Sequence, residues 1–347
     1  MKTRSCVLYG QEDVRVEIRE LGDLAPHQVL VRVGAGGICG SDIHYFWDGG
    51  IGAIRVSEPI VLGHEVAGTI EAVGSKVTAL HPGERVALCP SQPCRLCQFC
   101  QQGLQQHCVN MKFFGSAMYK PHCDGGFQDL MVVDALQCIP VGTTPLPEAA
   151  CVEPLAVGLH AINNAGSLLG KNVLVMGAGP IGSLLVGAAK LAGAAEVVAV
   201  DLAKAPLVAA TKMGASSTID AKTEPDQLAH LYAGNKGYFD VGFECTGAGV
   251  ALGNMFPVVK PQGTIVAVGV SSGNHIPFGA LVSKEIRLVG THRFHREYAV
   301  AANAITNRHI DVRPIITSTL PMEHIRDAFD IVRDRASQIK VQLSFAS

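Results

Sequence analysis

The sequence predicts an α/β protein of two domains. A β-rich, barrel-like domain of many short strands is followed by a doubly wound parallel sheet covered by helices. Three observations predict it. Short β-branched runs broken by glycine and proline fill the chain through residue 152. From Glu153 onward apolar strands alternate with amphipathic helices, and an early strand runs into Gly177-Ala178-Gly179-Pro180-Ile181-Gly182. Four cysteines, Cys94, Cys97, Cys100 and Cys108, stand at C-x2-C-x2-C-x7-C spacing and mark a local lobe inside the first domain. At 347 residues the chain is long for a single hydrophobic core.

The β-rich part comes first. Residues 14–18 alternate, and 29–33 form a second β-branched run ahead of Gly34. From 36 to 90 the chain is dense in glycine and proline, with strand-like pieces at 65–73 and 85–88. Strands this short with turns this frequent predict a barrel or sandwich. The cysteine lobe, residues 90–112, is a long excursion from it. In the second part, 154–165 reads as a helix with Glu153 and Pro154 in its first turn and Leu155, Leu159 and Ile162 on one face. Residues 172–176 read as a buried strand, 181–191 as a helix and 196–201 as the next strand. Further apolar strands are expected at 238–243, 264–268 and 286–289. Helical pieces at 297–306 and 323–332 then lead to a terminal strand at 340–345, expected to return to the first domain. The division is therefore 1–152 with 292–347, and 153–291.

Composition narrows the function. Apolar residues make up 48% and charged residues 17%, below the usual quarter, which suits a compact oligomeric enzyme. A net charge of −2 and a pI near 6.7 make no electrostatic case for nucleic acid or an anionic membrane. The N-terminus lacks the apolar core of a signal peptide. The apolar region 173–200 is interrupted by Gly177, Gly179, Gly182, Gly187, Lys190, Gly193 and Glu196, so it is not a membrane span. Eleven cysteines without a secretory signal point to a reducing compartment, the cytoplasm.

Zn²⁺ favours four thiolates in a tetrahedron, and two-residue gaps let tight turns aim successive sulfurs at one centre. Cys94, Cys97, Cys100 and Cys108 therefore read as a closed structural zinc site. Buried thiols or disulfides are the plainer alternative. An iron–sulfur cluster is a third, but the common ferredoxin runs are spaced differently. The glycine-rich turn is a dinucleotide fingerprint in its required context: it follows a strand, opens a helix, and is followed nineteen residues after Gly182 by Asp201 at a strand end. Gly177 makes the turn, Gly179 admits a pyrophosphate and Gly182 permits close packing, with Pro180 and Ile181 between them. Asp201 accepts from the adenosine ribose and repels a 2′-phosphate, so NAD is favoured. Lys204 nearby softens the bias against NADP.

Cys39, His64 and a carboxylate could hold a second zinc with a position left open. Each has a plain reading alone, as a small buried residue or a loop histidine. Together with Gly36-Gly37-Ile38-Cys39-Gly40-Ser41-Asp42-Ile43-His44-Tyr45, Gly63-His64-Glu65-Val66-Ala67-Gly68, the cysteine lobe, Glu153-Pro154-Leu155 and the glycine turn, they resemble the zinc-containing medium-chain alcohol and polyol dehydrogenases over nearly the whole chain.

The resemblance implies a GroES-like catalytic domain, a Rossmann coenzyme domain, a catalytic and a structural zinc per subunit, and homodimers or homotetramers. It implies Cys39, His64 and Glu65 as zinc ligands. Glu153 stands where many ethanol-type relatives place a second cysteine, and is expected as a water-linked or exchanging fourth group. Ser41 and His44 match the family's proton relay. Cys245, in Phe243-Glu244-Cys245-Thr246-Gly247, and Val268 and Val270 match loops lining the coenzyme cleft. Loss of the lobe is expected to cost stability or assembly before chemistry.

Tyr45, Glu153 and Arg293 match positions that contact polyol hydroxyls in sorbitol-type enzymes. The stretches 111–119, 121–127, 236–241 and 293–294 resemble bacterial L-idonate 5-dehydrogenases, which implies a small sugar-acid substrate. Its carboxylate could pair with Lys112, His122 or Arg293. Sorbitol, xylitol or galactitol is the alternative substrate. A non-catalytic nucleotide-binding protein is the alternative of another kind, and intact Cys39, His64, Glu65 and Ser41 speak against it.

Overall fold

A computed structural model describes residues 1–270 and 276–345. The chain opens with the antiparallel pair β1 (Lys2–Gly10) and β2 (Asp13–Glu20), followed by β3 (Gln28–Gly37) and helix α1 (Gly40–Asp48). Three two-residue strands, β4 (Gly50–Ile51), β5 (Ile54–Arg55) and β6 (Ile60–Val61), lead into β7 (Glu65–Val73) and β8 (Arg85–Leu88). A ribbon of β9 (Ser91–Gln92) and β10 (Lys112–Phe113) closes the base of the cysteine lobe, which contains the short α2 (Gln98–Gln101). β11 (Leu130–Asp134), β12 (Cys138–Pro140) and α3 (Leu146–Ala149) complete this part.

Helix α1 corrects the sequence reading, which saw only turns and strands between 36 and 60. Nine residues rich in aromatics are too few to hold a helix alone. Packing sustains it: Phe46 is fully buried and stacks on Phe329 with ring centroids 4.4 Å apart.

The second part begins with α4 (Val152–Ala165). Pro154 falls in its first turn, where a missing N–H costs no intrahelical bond. Then come β13 (Asn172–Met176), α5 (Pro180–Leu191), β14 (Glu196–Asp201), α6 (Lys204–Lys212), β15 (Ser217–Asp220) and α7 (Gln227–Tyr232). β16 (Phe239–Glu244), α8 (Gly249–Val258), β17 (Val259–Ala267), α9 (Phe278–Ser283) and β18 (Arg287–Gly290) follow. All pairings in this six-stranded sheet are parallel, in the order β15-β14-β13-β16-β17-β18. The order reverses between β13 and β16, and ligands of such sheets bind at the carboxyl ends of strands beside that switch.

After β18, α10 (Glu297–Thr306) packs on α4. β19 (Ile316–Pro321), α11 (Ile325–Ile331) and β20 (Lys340–Ser344) follow. β20 pairs antiparallel with β3, placing Gln342 opposite Gly37, so the last strands extend the seven-stranded sheet of the N-terminal part. That register carries Lys340 to the start of β7, 275 residues away in sequence. No helix among the described residues is long and apolar enough to cross a membrane.

Candidate active site

The Cys39 and His64 segments meet at the end of β3 and the start of β7. Cys39 precedes α1 and is half-buried, while His64 and Glu65 are buried. One ligand atom from each of the three lies within 4.8 Å of the others, a spacing that suits a single ion. Close backbone approach makes room: a Cβ on Gly37 would come 2.1 Å from Glu65 Oε2.

Two residues whose part the sequence did not reveal hold this group. Asp42 is fully buried; its Oδ2 accepts from the Cys39 amide at 2.9 Å, and its Oδ1 accepts from the Gly63 amide at 3.3 Å and lies 3.8 Å from His64 Nδ1. It therefore ties together the two turns that carry Cys39 and His64. Its position three residues after Cys39, inside the first turn of α1, is the local signal that could have found it. Lys340 is the other. Its Nζ donates to both Glu65 oxygens at 2.7 Å and to the Ile38 carbonyl at 3.1 Å, with both side chains 2% exposed. Burial pulls the Lys340 ammonium down, but Glu65 and Cys39 outweigh it and hold its pKa above the ordinary lysine value.

Glu153 is buried in the first turn of α4. Burial foremost, aided by Glu65 and Asp42 against the pull of His64 and Lys340, pushes its carboxyl up to about 7. Burial disfavours a charged His64, yet Asp42 and Cys39 reverse this and keep its pKa well above the usual histidine value. Three buried carboxyls crowd one lysine and one histidine here, and a divalent cation is the chemistry such a donor set fits.

The lobe fits zinc as well. Sγ atoms of Cys94, Cys97, Cys100 and Cys108 all lie within 4.8 Å of one another, with 4.0 Å between Cys97 and Cys108. Tetrahedral zinc with thiolate bonds of about 2.3 Å needs sulfurs about 3.8 Å apart. The amides of residues 100 and 109 point at Cys97 and lower its thiol to about 6, toward the ligating thiolate.

Arg293, at φ +54°, carries its guanidinium 4.2 Å above the Phe113 ring, whose other neighbour is His64 at 5.5 Å between centroids. Burial lowers the Arg293 pKa from its ordinary value; Glu153, Tyr119 and Tyr45 are near enough to oppose that. No carboxylate pairs with Arg293 among the described residues. Tyr45 is buried, and its hydroxyl accepts from the Ala117 amide at 3.3 Å. Lys112 is exposed on β10 next to Phe113; alternation along the strand sends it to the opposite face from the ring that meets His64 and Arg293. His122 is engaged with the Ser57 amide and the Tyr119 carbonyl, not with Arg293's pocket. Ser41 is half-buried in the first turn of α1, and the exposed His44, one turn on, bonds Asp48 through Nδ1 at 2.7 Å.

The glycine turn joins β13 to α5 at the sheet's switch point. A Cβ on Gly182 would lie 1.8 Å from the Gly177 carbonyl oxygen, while one on Gly179 would meet open space, where a pyrophosphate belongs. Pro180 and Ile181 open α5. Cys245 lies just past the carboxyl end of β16, beside the turn, and Val268 and Val270 just past that of β17, with Val270 exposed. Burial pushes the Cys245 thiol up, so it stays protonated.

Asp201 ends β14 and accepts from the Ala178 amide at 2.7 Å and the Ala203 amide at 3.0 Å. It therefore braces the glycine turn. Asp201→Ala is expected to lower NAD affinity roughly ten- to a hundredfold, from the loss of charge-assisted bonds worth about 1.5–3 kcal/mol. NADP affinity should fall less. Fluorescence titration of both cofactors checks this, and an unchanged NAD to NADP ratio would remove Asp201 from cofactor selection.

Comparison with known proteins agrees with this geometry. Residues 25–143 match the family model for the alcohol dehydrogenase GroES-like domain, and residues 180–307 that for zinc-binding dehydrogenases. The chain is 38% identical over 347 residues to the L-idonate 5-dehydrogenase (NAD(P)(+)) of Escherichia coli K12, covering 99% of each. The crystal structure of that enzyme superposes with a TM-score of 0.94 over 99% of both chains. The sorbitol dehydrogenase of Pongo abelii is 37% identical over 331 residues, 94% of this chain and 91% of its own. A zinc-binding dehydrogenase of Sinorhizobium meliloti 1021, solved bound to NADP, is 27% identical with a TM-score of 0.88 over 99% of both chains. The chain belongs to the zinc-containing medium-chain polyol dehydrogenases, enzymes that exchange a hydride between an alcohol and a nicotinamide cofactor.

Proposed function

We propose that this enzyme oxidises a secondary alcohol of a sugar acid, with L-idonate to 5-keto-D-gluconate as the leading reaction. One observation carries the choice of an acid: Arg293 is a half-buried cation stacked on Phe113, with Glu153 in its vicinity but no carboxylate in ion-pair contact among the described residues. A substrate carboxylate is the natural partner of a guanidinium whose face is covered and whose edge is free. The similarity to the E. coli L-idonate 5-dehydrogenase supports the same reading.

In this reading Cys39, His64 and Glu65 would hold the catalytic zinc, with Glu153 close as a water-linked or exchanging group, and Cys94, Cys97, Cys100 and Cys108 would hold the structural one. Bound zinc would supply Lewis acidity, and a bound nicotinamide would supply the hydride acceptor. Arg293 pairs with the carboxylate, and Tyr45 and Glu153 bond hydroxyls of the substrate, rejecting alcohols that lack them. Ser41 receives the hydroxyl proton, and His44 passes it to solvent, its ring held by Asp48. The alcohol thus loses one hydride to the cofactor and one proton to water, leaving a ketone.

NAD is the favoured cofactor, with NADP accepted. The subunit is taken to assemble as a homodimer or homotetramer, and exposed Phe278 and Val282 on α9, which precedes the edge strand β18 in the chain, support an apolar contact there. Eleven cysteines, none in a disulfide, favour the cytoplasm as its place of work.

Sorbitol-type activity is the second reading, favoured by similarity to sorbitol dehydrogenases over more than nine-tenths of the chain. A spectrophotometric screen of L-idonate, D-gluconate, 5-keto-D-gluconate, sorbitol, xylitol and threonine with each nicotinamide separates the two. The expected result is the highest kcat/KM with L-idonate forward and 5-keto-D-gluconate in reverse. Faster turnover of sorbitol or xylitol would replace the acid with a polyol.

A further inference from the structure

Two ring contacts join the cysteine lobe to the segment that carries Arg293. At the base of the lobe, the β9–β10 ribbon sets Phe113 opposite Ser91 and places the Phe113 ring near both Arg293 and His64. Near its tip, His107, the residue before Cys108, stacks on His292, the residue before Arg293, with centroids 5.9 Å apart and planes 21° from parallel. The far side of the segment is fixed independently. Glu297 accepts from the His295 amide at 2.9 Å, from His160 Nδ1 at 3.0 Å and from Asn163 Nδ2 at 2.8 Å, pinning the chain to α4. Phe294 is 1% exposed.

Between these anchors Arg293 adopts φ +54°, an uncommon conformation for a non-glycine residue. Its side chain makes no hydrogen bond or ion pair among the described residues. Glu153, Tyr45 and Tyr119 lie near its guanidinium, and the ring contacts of Arg293 and its neighbour His292 come from Phe113 and His107.

We propose that the lobe is a positioning element for substrate, with Phe113 and His107 holding Arg293 in the pose that receives the carboxylate. The inference rests on the reading of Arg293 given above. It differs from the expectation that the lobe serves stability or assembly first. A guanidinium over an aromatic face is attracted to the ring quadrupole and keeps its edge N–H groups free, so the ring orients the cation without consuming its donors. His107 acts one step further out, by limiting the movement of His292.

The test uses the zinc-loaded enzyme with saturating NADH, and measures 5-keto-D-gluconate by steady-state kinetics and by calorimetric titration. Arg293→Gln should raise KM for the acid steeply; an unchanged KM would overturn the Arg293 reading itself. Phe113→Leu should raise KM and the calorimetric Kd on the order of tenfold, in line with a cation–π contact, with the loss falling on KM more than on kcat. Phe113→Tyr, which keeps the ring, should restore most of it. His107→Ala should give a smaller rise of the same kind, and none of the Phe113 or His107 variants should alter NADH affinity. In the double variant with Arg293→Gln, Phe113→Leu should add nothing. A Phe113→Leu enzyme with parental KM, or full additivity in the double variant, would overturn the positioning role while leaving Arg293 in place. Equal losses of NADH affinity and kcat would assign Phe113 and His107 to general structure instead.

Discussion

Cys39→Ser is expected to abolish turnover, by about three orders of magnitude or more, while leaving the fold nearly intact. A catalytic metal supplies several kcal/mol of transition-state stabilisation, and each 1.36 kcal/mol is about tenfold in rate. Serine is close to cysteine in size but is a far poorer zinc ligand at neutral pH. The local structure does not depend on the sulfur. The Cys39 amide donates to Asp42, its carbonyl accepts from the Ile43 amide at 3.1 Å, and both bonds survive the exchange. Glu65 retains Lys340 as its counterion. Metal analysis should show one zinc lost per subunit, with circular dichroism and NAD binding close to parental. A protein that melts on this exchange would give Cys39 a structural role as well, and retained turnover would remove it from the metal site.

Lys340→Met should destabilise the enzyme by about 3–5 kcal/mol once zinc is chelated, because it leaves the Glu65 carboxylate buried and unpaired. With zinc present the loss should be smaller, since a cation beside Glu65 replaces part of the missing charge. Lys340→Met with Glu65→Gln should recover much of the stability, as a neutral buried pair no longer needs compensation. Urea unfolding of the parent and both variants, with and without chelator, measures the three differences. A chelated Lys340→Met protein within 1 kcal/mol of the parent would mean that the pair holds nothing, in contrast to the ~3 kcal/mol floor expected for a broken buried pair.

Residues differ in how far their roles were legible. The glycine turn and the cysteine lobe were readable because each is completed within about twenty residues, and a turn of fixed dihedral geometry aims their groups at one point whatever the rest of the chain does. Cys39, His64 and Glu65 emerged only from their combination with other motifs, since each has an ordinary reading alone. Asp42 lies in the same motif as Cys39, and its place in the first turn of α1 makes it a partner for the Cys39 amide. Lys112 and Phe113 are adjacent, and the pleat decides which of them meets Arg293; parity within a two-residue strand cannot be read without the pairing.

Sequence alone determined the two kinds of fold, the four-cysteine cluster, the glycine turn between β13 and α5 and the donor types of the candidate metal centre. These follow from short-range constraints: backbone sterics, ligand spacing and hydrophobic period. Tertiary structure decided that α1 is a helix, that Lys340 faces Glu65, and that the lobe rests its rings on Arg293 and His292. Each depends on strands or turns brought together from distant parts of the chain. Burial then sets the strength of the contacts, because an ion pair or stacked cation is worth far more once water has been removed from around it.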